Sequence, residues 1–254
     1  MLIVLSPAKT LDFDSPFVDI EYSLPEYVES AAELIDGLKK FDRADVMELM
    51  NISEKLADLN ISRFKQWSPQ FSSENSRQAI LAFKGDVYSG LEAETLSADE
   101  LKYAQSHLRI LSGLYGMLRP LDLMQPYRLE MGRNFDNQRG KNLYQFWGDR
   151  LTDELNKLLV SEKYLINLAS NEYFKAVKHR KIEGEIITPI FKDFKNDQYK
   201  VISFYAKKAR GAMARYIIEN RIKTPKGLEQ FDWQGYLFSE ELSSGNELVF
   251  TRHP

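Results

Sequence analysis

Residues 1–9, MLIVLSPAK, contain the pattern that decides the fold: a short apolar run of strand type, a break at Ser6-Pro7, and then a lysine. Residues 164–173 (YLINLASNEY) and 201–211 (VISFYAKKARG) repeat this order of apolar strand, small residues and polar or basic group. In α/β sheets, ligand-binding groups collect beyond the carboxyl ends of the strands. If these ends lie together, the groups that converge are Lys9, Asn171, Glu172, Lys207, Lys208 and Arg210. The alternative is that each segment is an ordinary strand-to-helix turn.

The sequence that follows the first strand has mainly helical patterns. Residues 23–26 (SLPE) predict a capping box, and the apolar face of the helix after it consists of Tyr27, Ala31, Leu34, Ile35 and Leu38. Helical spacing continues through residues 45–66, with a predicted core of Leu49, Ile52, Leu56, Leu59 and Phe64. A second capping box, residues 97–100 (SADE), opens a helix predicted to stop at 112–116, with a buried stripe of Leu101, Ala104, Leu108 and Leu111.

The second half of the chain has a different pattern. Strand Tyr164–Leu168 leads to a helix start at 170–173, and a hairpin around Asn196-Asp197 joins 186–191 to 199–205. A helix is predicted over roughly 207–222, and a last hairpin pairs 236–238 with 248–250 across a turn at 243–246. We therefore expect one α/β (mixed α+β) domain over residues 1–254, with a mixed central sheet and a mainly helical insertion after the first strand.

Composition excludes several function classes. The 254 residues are 43% hydrophobic and 28% charged, ordinary values for a globular protein. No apolar run approaches the roughly 18 residues of a membrane span, and the first residues lack the basic flank of a secretory signal, so we expect a cytoplasmic protein. With no cysteine and three widely spaced histidines, the chain is a poor peroxidase or iron store. It also lacks dinucleotide and P-loop motifs, so we expect neither a cofactor nor a stable metal.

The charge is unevenly distributed along the chain. Residues 1–100 hold 9 Lys/Arg and 19 Asp/Glu, whereas residues 101–254 hold 25 and 18. The basic residues of segment 206–226, with one acidic residue (Glu219) among them, are Lys207, Lys208, Arg210, Arg215, Arg221, Lys223 and Lys226. On a helix, Lys207, Arg210 and Arg221 share one side, and like charges at such spacings repel unless an anion compensates them. A phosphate backbone is such an anion; the alternative is a solvated face screened by salt.

Two further clusters hold candidate residues. Residues 83–88 (FKGDVY) place Lys84 and Asp86 close to a tyrosine. Residues 109–132 hold three arginines and a glutamate among glycines and prolines, namely Arg109, Arg119, Arg128 and Glu130. Within this segment, Gly113 and Gly116 follow a predicted helix and resemble a helix-hairpin-helix, in which glycines let backbone N–H groups approach a DNA phosphate. Two residues separate these glycines where that motif has one, and the alternative is a plain helix end.

Long motifs resemble the YaaA family of bacterial peroxide-stress proteins. They are SPAKTLD (6–12), SGLYG (112–116), RPLDLMQPYRLEMG (119–132), LYQFWGD (143–149) and FYAKKARG (204–211). The resemblance implies a cytosolic protein that limits oxidative damage during hydrogen peroxide stress and is linked to lower free iron. It also implies an α/β fold with a positively charged cleft, and double-stranded DNA binding through a helix-hairpin-helix. On this chain, the residues implied are Gly113 and Gly116 for the hairpin, and Lys9, Lys207, Lys208 and Arg210 for the cleft.

Three hypotheses follow. The first is a protein that binds double-stranded DNA through phosphates with weak sequence preference, using Lys9, Arg109, Gly113, Gly116, Arg119, Arg128, Lys207, Lys208, Arg210 and Arg215. The second is an enzyme that acts on a nucleotide, nucleobase or small phosphorylated substrate, with Lys9, Lys84, Asp86 and Glu172 as catalytic candidates. The third is a regulator of iron homeostasis that acts through a protein partner. The residues favour binding over catalysis; a deep closed pocket would favour the enzyme and an open groove the DNA.

Overall fold

Strand β1, Leu2–Leu5, lies inside the central sheet of the computed structural model, which describes residues 1–253. It pairs in parallel with β5 (Leu108–Ser112) on one side and β8 (Tyr164–Leu168) on the other. All of its residues are buried, as expected for a parallel strand whose two faces are both covered. The strands predicted at Leu2–Leu5 and Tyr164–Leu168 are confirmed.

The central sheet is mixed, as predicted. Its strand order is β11-β12-β9-β8-β1-β5-β6, with β10 paired to β9. The other strands of this sheet are β6 Gly116–Leu118, β9 Glu185–Phe194, β10 Tyr199–Lys200, β11 Leu237–Ser244 and β12 Glu247–Arg252. The pairs β5–β6, β9–β10 and β11–β12 are antiparallel, and the other neighbours are parallel. Short two-stranded ladders join β2 (Thr10–Leu11) to β4 (Phe83–Lys84), and β3 (Arg77–Gln78) to β7 (Leu123–Met124).

The chain between β1 and β5 is mainly helical, which confirms the predicted insertion. Its helices are α1 Val28–Leu38, α2 Arg43–Met50, α3 Glu54–Gln66, α4 Ala79–Ala82, α5 Asp86–Leu91 and α6 Ala98–His107. The later helices are α7 Leu143–Trp147, α8 Arg150–Leu159, α9 Asn171–Phe174, α10 Ser203–Asn220 and α11 Pro225–Leu228. Single 3₁₀ turns lie at Ala93–Thr95, His179–Lys181 and Trp233–Gly235. None of the helices within residues 1–253 is both long and apolar enough to cross a membrane.

The two predicted capping boxes have different outcomes. At α6, the Ser97 hydroxyl accepts from the Glu100 N–H and the Glu100 carboxylate accepts from the Ser97 N–H, so this box is confirmed. The box at residues 23–26 is wrong, because α1 begins at Val28 and has no side-chain cap. There, the Ser23 hydroxyl donates to a carboxylate oxygen of Asp122 at 2.6 Å. The Ser23 hydroxyl, which the local pattern assigned to a helix cap, instead bonds to a residue distant in sequence.

The core predicted for the helical insertion is correct in α1 and only in part in α3, where Phe64 is buried as predicted. Ala31, Leu34, Ile35 and Leu38 are buried on α1, as predicted. The predicted helical segment 45–66 is interrupted at Asn51, whose φ is 51°. The break changes the helical register, so Leu56 and Leu59 are 38% and 44% exposed and the prediction that they belong to the core was wrong. The buried residues of α2 and α3 are Val46, Met50, Ala57, Asn60 and Phe64.

The predicted helix-hairpin-helix at Gly113 and Gly116 is absent from the described chain. Helix α6 ends at His107, and the loop that contains both glycines joins two antiparallel strands, β5 and β6. Pairing of 108–112 with β1 outweighs the helical spacing that Leu108 and Leu111 continue, because tertiary context overrides local propensity. Both glycines are buried: a Cβ on Gly113 would lie 2.1 Å from the Leu129 carbonyl, and one on Gly116 would lie 2.6 Å from the Trp147 ring.

The start of α10 corrects a second prediction. Strand β10 ends at Lys200 and α10 begins at Ser203, so most of 201–211 is helix and its apolar residues are not a strand. The turn predicted at Asn196-Asp197 is confirmed by positive φ angles of 55° and 57° between β9 and β10. The last hairpin is also confirmed, with Phe238 opposite Phe250.

Helices α5 and α10 pack unusually close together. A Cβ added at Gly211 of α10 would lie 1.7 Å from the Val87 carbonyl oxygen, and one added at Gly90 of α5 would lie 2.0 Å from the Lys208 carbonyl oxygen. Real Cβ atoms do not occupy such positions, so only glycine permits this approach. The contact sets the distance between the helix that begins with Asp86 and the helix that carries Lys207 and Arg210.

We therefore predict that Gly211→Ala lowers the free energy of unfolding by about 3 kcal/mol, the upper part of the usual range for overpacking. Urea denaturation followed by circular dichroism measures this change. Gly245→Ala is the control, because nothing lies within 4 Å of its added Cβ and its φ is +55°; its cost is that of a left-handed conformation, about 1 kcal/mol. Equal denaturation midpoints for the two variants would show that the helix contact is not tight.

Candidate functional site

A cavity of about 470 Å³ opens where β1 and β8 end at the same edge of the sheet. Strand ends, the loop after β4 and helices α5, α9 and α10 contribute its lining. The residues that line it are Ser6, Pro7, Ala8, Lys9, Thr10, Lys84, Gly85, Asp86, Val87, Leu168, Ser170, Glu172, Tyr173, Lys207 and Arg210. The parallel register explains their meeting: Leu5 lies opposite Leu168, so the segments that follow both strands emerge side by side.

Two serines hold these segments together. The backbone N–H of Ser170 donates to Ser6 Oγ at 2.8 Å, and Ser6 Oγ donates to Ser170 Oγ at 3.3 Å. The buried Tyr88 of α5 donates its hydroxyl to the Ser6 carbonyl oxygen at 3.1 Å. Desolvation by burial raises the pKa of Tyr88 well above its usual range, so the phenol stays protonated as a donor. The cavity floor is thus braced from β1, β8 and α5.

Lys84 is held at the cavity by a buried carboxylate. Asp12 Oδ2 lies 2.8 Å from Lys84 Nζ, and Asp12 also accepts hydrogen bonds from the Ser15 backbone N–H and hydroxyl. The hydrogen bond from Lys84, followed by those from Ser15, lowers the pKa of Asp12 far below its ordinary value. Asp12 therefore remains ionised over the whole physiological pH range and fixes the position of the Lys84 ammonium group.

Lys9 is held by a second buried carboxylate. Glu130 Oε1 lies 3.3 Å from Lys9 Nζ, 3.2 Å from Arg128 Nη2 and 3.4 Å from Arg133 Nη2. Burial opposes ionisation of Glu130, but Arg128 and Arg133 outweigh it, and the pKa of Glu130 is lowered. Its other oxygen, Oε2, is buried without a hydrogen-bond partner among residues 1–253. One carboxylate therefore balances several cations, and the surplus charge at this wall is positive.

The remaining charges belong to α5, α9 and α10. Lys207 Nζ lies 3.9 Å from Asp86 Oδ2, a loose pair with both side chains partly exposed. Glu172 Oε1 accepts from the Gly132 N–H at 3.0 Å, which fixes the carboxylate at the cavity wall. Both carboxylates are acceptors that face the cavity together with the cations.

Arg210 differs from the other cations of the cavity. Lys9, Lys84 and Lys207 each have a carboxylate within 4 Å, whereas the part-buried Arg210 has no ion-pair or hydrogen-bond partner within residues 1–253. Burial lowers the pKa of Arg210, which records the cost of removing its charge from water. A partly desolvated guanidinium without a counterion is unfavourable, and an anion that binds in the cavity would supply the missing partner.

The structure brings together part of the set predicted from the sequence. The predicted residues that line the cavity are Lys9, Lys84, Asp86, Glu172, Lys207 and Arg210. Arg128 contacts this set only through Glu130. Lys208 and Asn171 were expected to converge with them, but neither lines the cavity, and Lys208 Nζ lies over the Phe204 ring at 4.5 Å from its centroid.

Other predicted residues lie elsewhere. Strand β6 runs antiparallel to β5, so Arg119, directly after β6, lies opposite Arg109 of β5. Both arginines line a separate cavity of about 200 Å³, together with Glu26, Asp122 and Glu154. Arg215 is tied to Glu219 and donates to the Leu91 and Glu92 carbonyls. Arg221 ends α10 in a left-handed conformation and donates to the Asp99 carbonyl, so it does not share the side of Lys207. With the buried Gly113 and Gly116, these residues do not belong to the cavity.

Sequence reasoning missed the residues that position the site. Ser6, Ser170 and Asp12 were not predicted as site residues; the two serines bond to each other, and Asp12 pairs with the predicted Lys84. Glu130 was noted in the 109–132 cluster but was given no role, although it pairs with the predicted Lys9. For Asp12 a signal existed, because Asp-x-x-Ser is typical of a turn in which the carboxylate accepts local backbone N–H groups. The contact of Glu130 with Lys9 joins residues 121 positions apart and has no local signal, whereas its pairs with Arg128 and Arg133 are local.

Comparison with known proteins identifies relatives over nearly the whole chain. Residues 1–242 match a family model described as peroxide stress protein YaaA. A UPF0246 protein from Shewanella amazonensis (strain ATCC BAA-1098 / SB2B) is 58% identical over 254 residues, and the alignment covers 99% of each chain.

The position of Asp12 predicts a pH-dependent stability. Its pKa is lower in the folded chain than its ordinary value of 3.8, so its stabilising effect is fully present above about pH 4 and is lost as the pH falls below that value toward the folded pKa. We predict that Asp12→Asn lowers the urea midpoint at pH 7, and that the difference from the unchanged protein narrows below pH 4. Asp19→Asn, at an exposed site, is the control; a difference that stays constant with pH would contradict the role of Asp12.

Proposed function

The chain belongs to the peroxide stress protein YaaA family, which supports a role in oxidative stress, and from this premise we propose that it acts in the cytoplasm by binding double-stranded DNA through phosphates. The proposed contact surface is the basic cleft, defined as Lys9, Lys84, Lys207 and Arg210 around the mouth and wall of the 470 Å³ cavity. The observation that carries the proposal is the surplus of positive charge at this surface, where three lysines are more than half exposed and Arg210 is a part-buried cation without a partner in the described chain.

The lysines of the basic cleft support the same proposal. The Lys9, Lys84 and Lys207 side chains are each more than half exposed, although each has a carboxylate partner. The buried carboxylates of Asp12 and Glu130 each have a second cation within 4 Å, Arg77 for Asp12 and Arg128 for Glu130. A polyanion can therefore contact the lysine ammonium groups without leaving either carboxylate unpaired, and the counterions that it releases favour binding.

The same charges argue for weak sequence preference. Ammonium groups on flexible stems act as point charges on phosphate oxygens, which carry no sequence information. The predicted hairpin contribution from Gly113 and Gly116 is not part of this proposal, because both glycines are buried between strands. The proposed DNA contact therefore depends on side chains at the ends of β1 and β4 and on α10.

Protein bound to DNA would limit the access of oxidants to the DNA during peroxide stress. We also propose that the link to lower free iron is indirect, because the chain has no cysteine and its histidines, His107, His179 and His253, are far apart. Cysteine and histidine are the usual ligands and nucleophiles of proteins that handle iron or peroxide directly.

We predict that Lys9→Ala/Lys207→Ala weakens binding to a fluorescent duplex and reduces the slope of log K against log salt by about 1.8, since each lost phosphate contact contributes about 0.9. Fluorescence anisotropy over a salt series measures both quantities. Lys55→Ala/Lys65→Ala removes the same charge from exposed positions on α3 and should leave the slope unchanged.

Two outcomes would contradict the proposed function. One is an absence of duplex binding at low salt. The other is an equal loss in both double variants, since it would show that total charge and not the basic cleft determines binding.

A further inference from the structure

We propose that the 470 Å³ cavity beneath the basic cleft binds a single nucleotide, with Arg210 as the anchor of its phosphate. The inference rests on the proposed function in one respect, because bound DNA is one source of that nucleotide. It adds a ligand-binding site with a defined ligand class to a surface proposed so far only for contacts to the DNA backbone.

The size of the cavity selects the ligand class. A volume of 470 Å³ lies within the roughly 300–1,000 Å³ typical of small-molecule sites. A duplex is far too wide to enter such a space. A nucleotide enters a protein pocket either free in solution or after it has left the base stack at a strand end or by extrusion. The duplex would therefore lie on the exposed lysines while one nucleotide occupies the cavity.

The donors of the cavity match a phosphate. The planar guanidinium of Arg210 has a fork of N–H groups that binds two phosphate oxygens at once, which an ammonium group cannot do. Ser170 Oγ accepts a hydrogen bond from Ser6 Oγ and keeps its own proton to donate into the cavity. Because Arg210 has no partner to release within the described chain, binding a phosphate there breaks no existing ion pair.

The rest of the lining matches a sugar and a base. Val87 and the Tyr173 ring, each 8% exposed, offer apolar surface to the flat faces of a nucleotide. The carboxylates of Asp86 and Glu172 accept hydrogen bonds and donate none, so they favour hydroxyl and amino groups and repel further phosphates. The mixture of one unpaired cation with these acceptors favours a nucleotide over a bare inorganic anion.

The test uses calorimetric titration of the full chain with 2′-deoxyadenosine 5′-monophosphate, deoxyadenosine and inorganic phosphate. We expect the nucleotide to bind at least tenfold more tightly than either of its parts. Arg210→Lys keeps the charge but loses the fork and should weaken nucleotide binding at least tenfold. The matched control is Arg180→Lys, at an exposed arginine that is not part of the cavity lining, and it should bind as the unchanged protein does.

Ser170→Ala provides a second test that does not depend on Arg210→Lys folding correctly. It should weaken nucleotide binding severalfold, since it removes a donor from the cavity. The inference is overturned if the nucleotide does not bind, if it binds no better than inorganic phosphate, or if Arg210→Lys folds and binds it with unchanged affinity.

Competition with DNA identifies the source of the nucleotide. If a duplex with a 5′-phosphorylated single-nucleotide overhang displaces the nucleotide and an end-free dumbbell duplex does not, the site takes the terminal nucleotide of DNA. If neither DNA competes, the site takes a free nucleotide. Duplex binding at the basic cleft without nucleotide binding would overturn this inference and leave the proposed function standing. Nucleotide binding without any duplex binding would overturn the proposed function and leave this inference standing.

Discussion

Parallel pairing of β1 with β8 is the constraint on which the rest of the structure depends. Four apolar residues with both faces covered can only be an inner strand, and their register aligns Leu5 with Leu168. The chain must then leave the sheet at Ser6 and at Ser170 side by side, where the two serines bond to each other. The α5–α10 contact through Gly90 and Gly211 adds the third wall. Backbone geometry thus places the cavity before any charged side chain is considered.

The cations of the cavity differ in whether a carboxylate pairs with them, and this difference makes the cavity suited to an anion. Asp12 and Glu130 are buried carboxylates that pair with Lys84 and Lys9, whose side chains remain more than half exposed. Arg210 lacks such a support. The arrangement therefore combines cations that are already positioned with one that gains a partner only from outside the described chain, which favours an anionic ligand over a purely structural network of ion pairs.

The sequence alone predicted those parts of the fold that local patterns determine. Apolar runs identified β1 and β8, the second interrupted by Asn167, and Ser97 with Glu100 identified the start of α6. Segment 108–112 was misassigned because Leu-Arg-Ile-Leu-Ser suits a helix stripe and a strand equally, and only pairing with β1 decides between them. For the site, strand ends predicted that Lys9 and Glu172 meet. Arg109 and Arg119 lie apart from Lys9 and Glu172 because β6 returns antiparallel to β5, which no local pattern predicts. The lack of a partner at Arg210 depends on every neighbouring element, so it has no local signature either.

Arg210 and Gly211 are adjacent in the chain, yet they limit evolutionary change in different ways. A chain under selection for folding alone must keep the glycine, because any side chain at 211 collides with the Val87 carbonyl. We expect the same chain to tolerate a neutral residue at 210, because the guanidinium there has no partner in the described chain. Descendants that do not bind the proposed anion should therefore drift at 210 and stay invariant at 211, so that this pair of neighbouring positions separates inheritance of the fold from inheritance of the proposed anion binding.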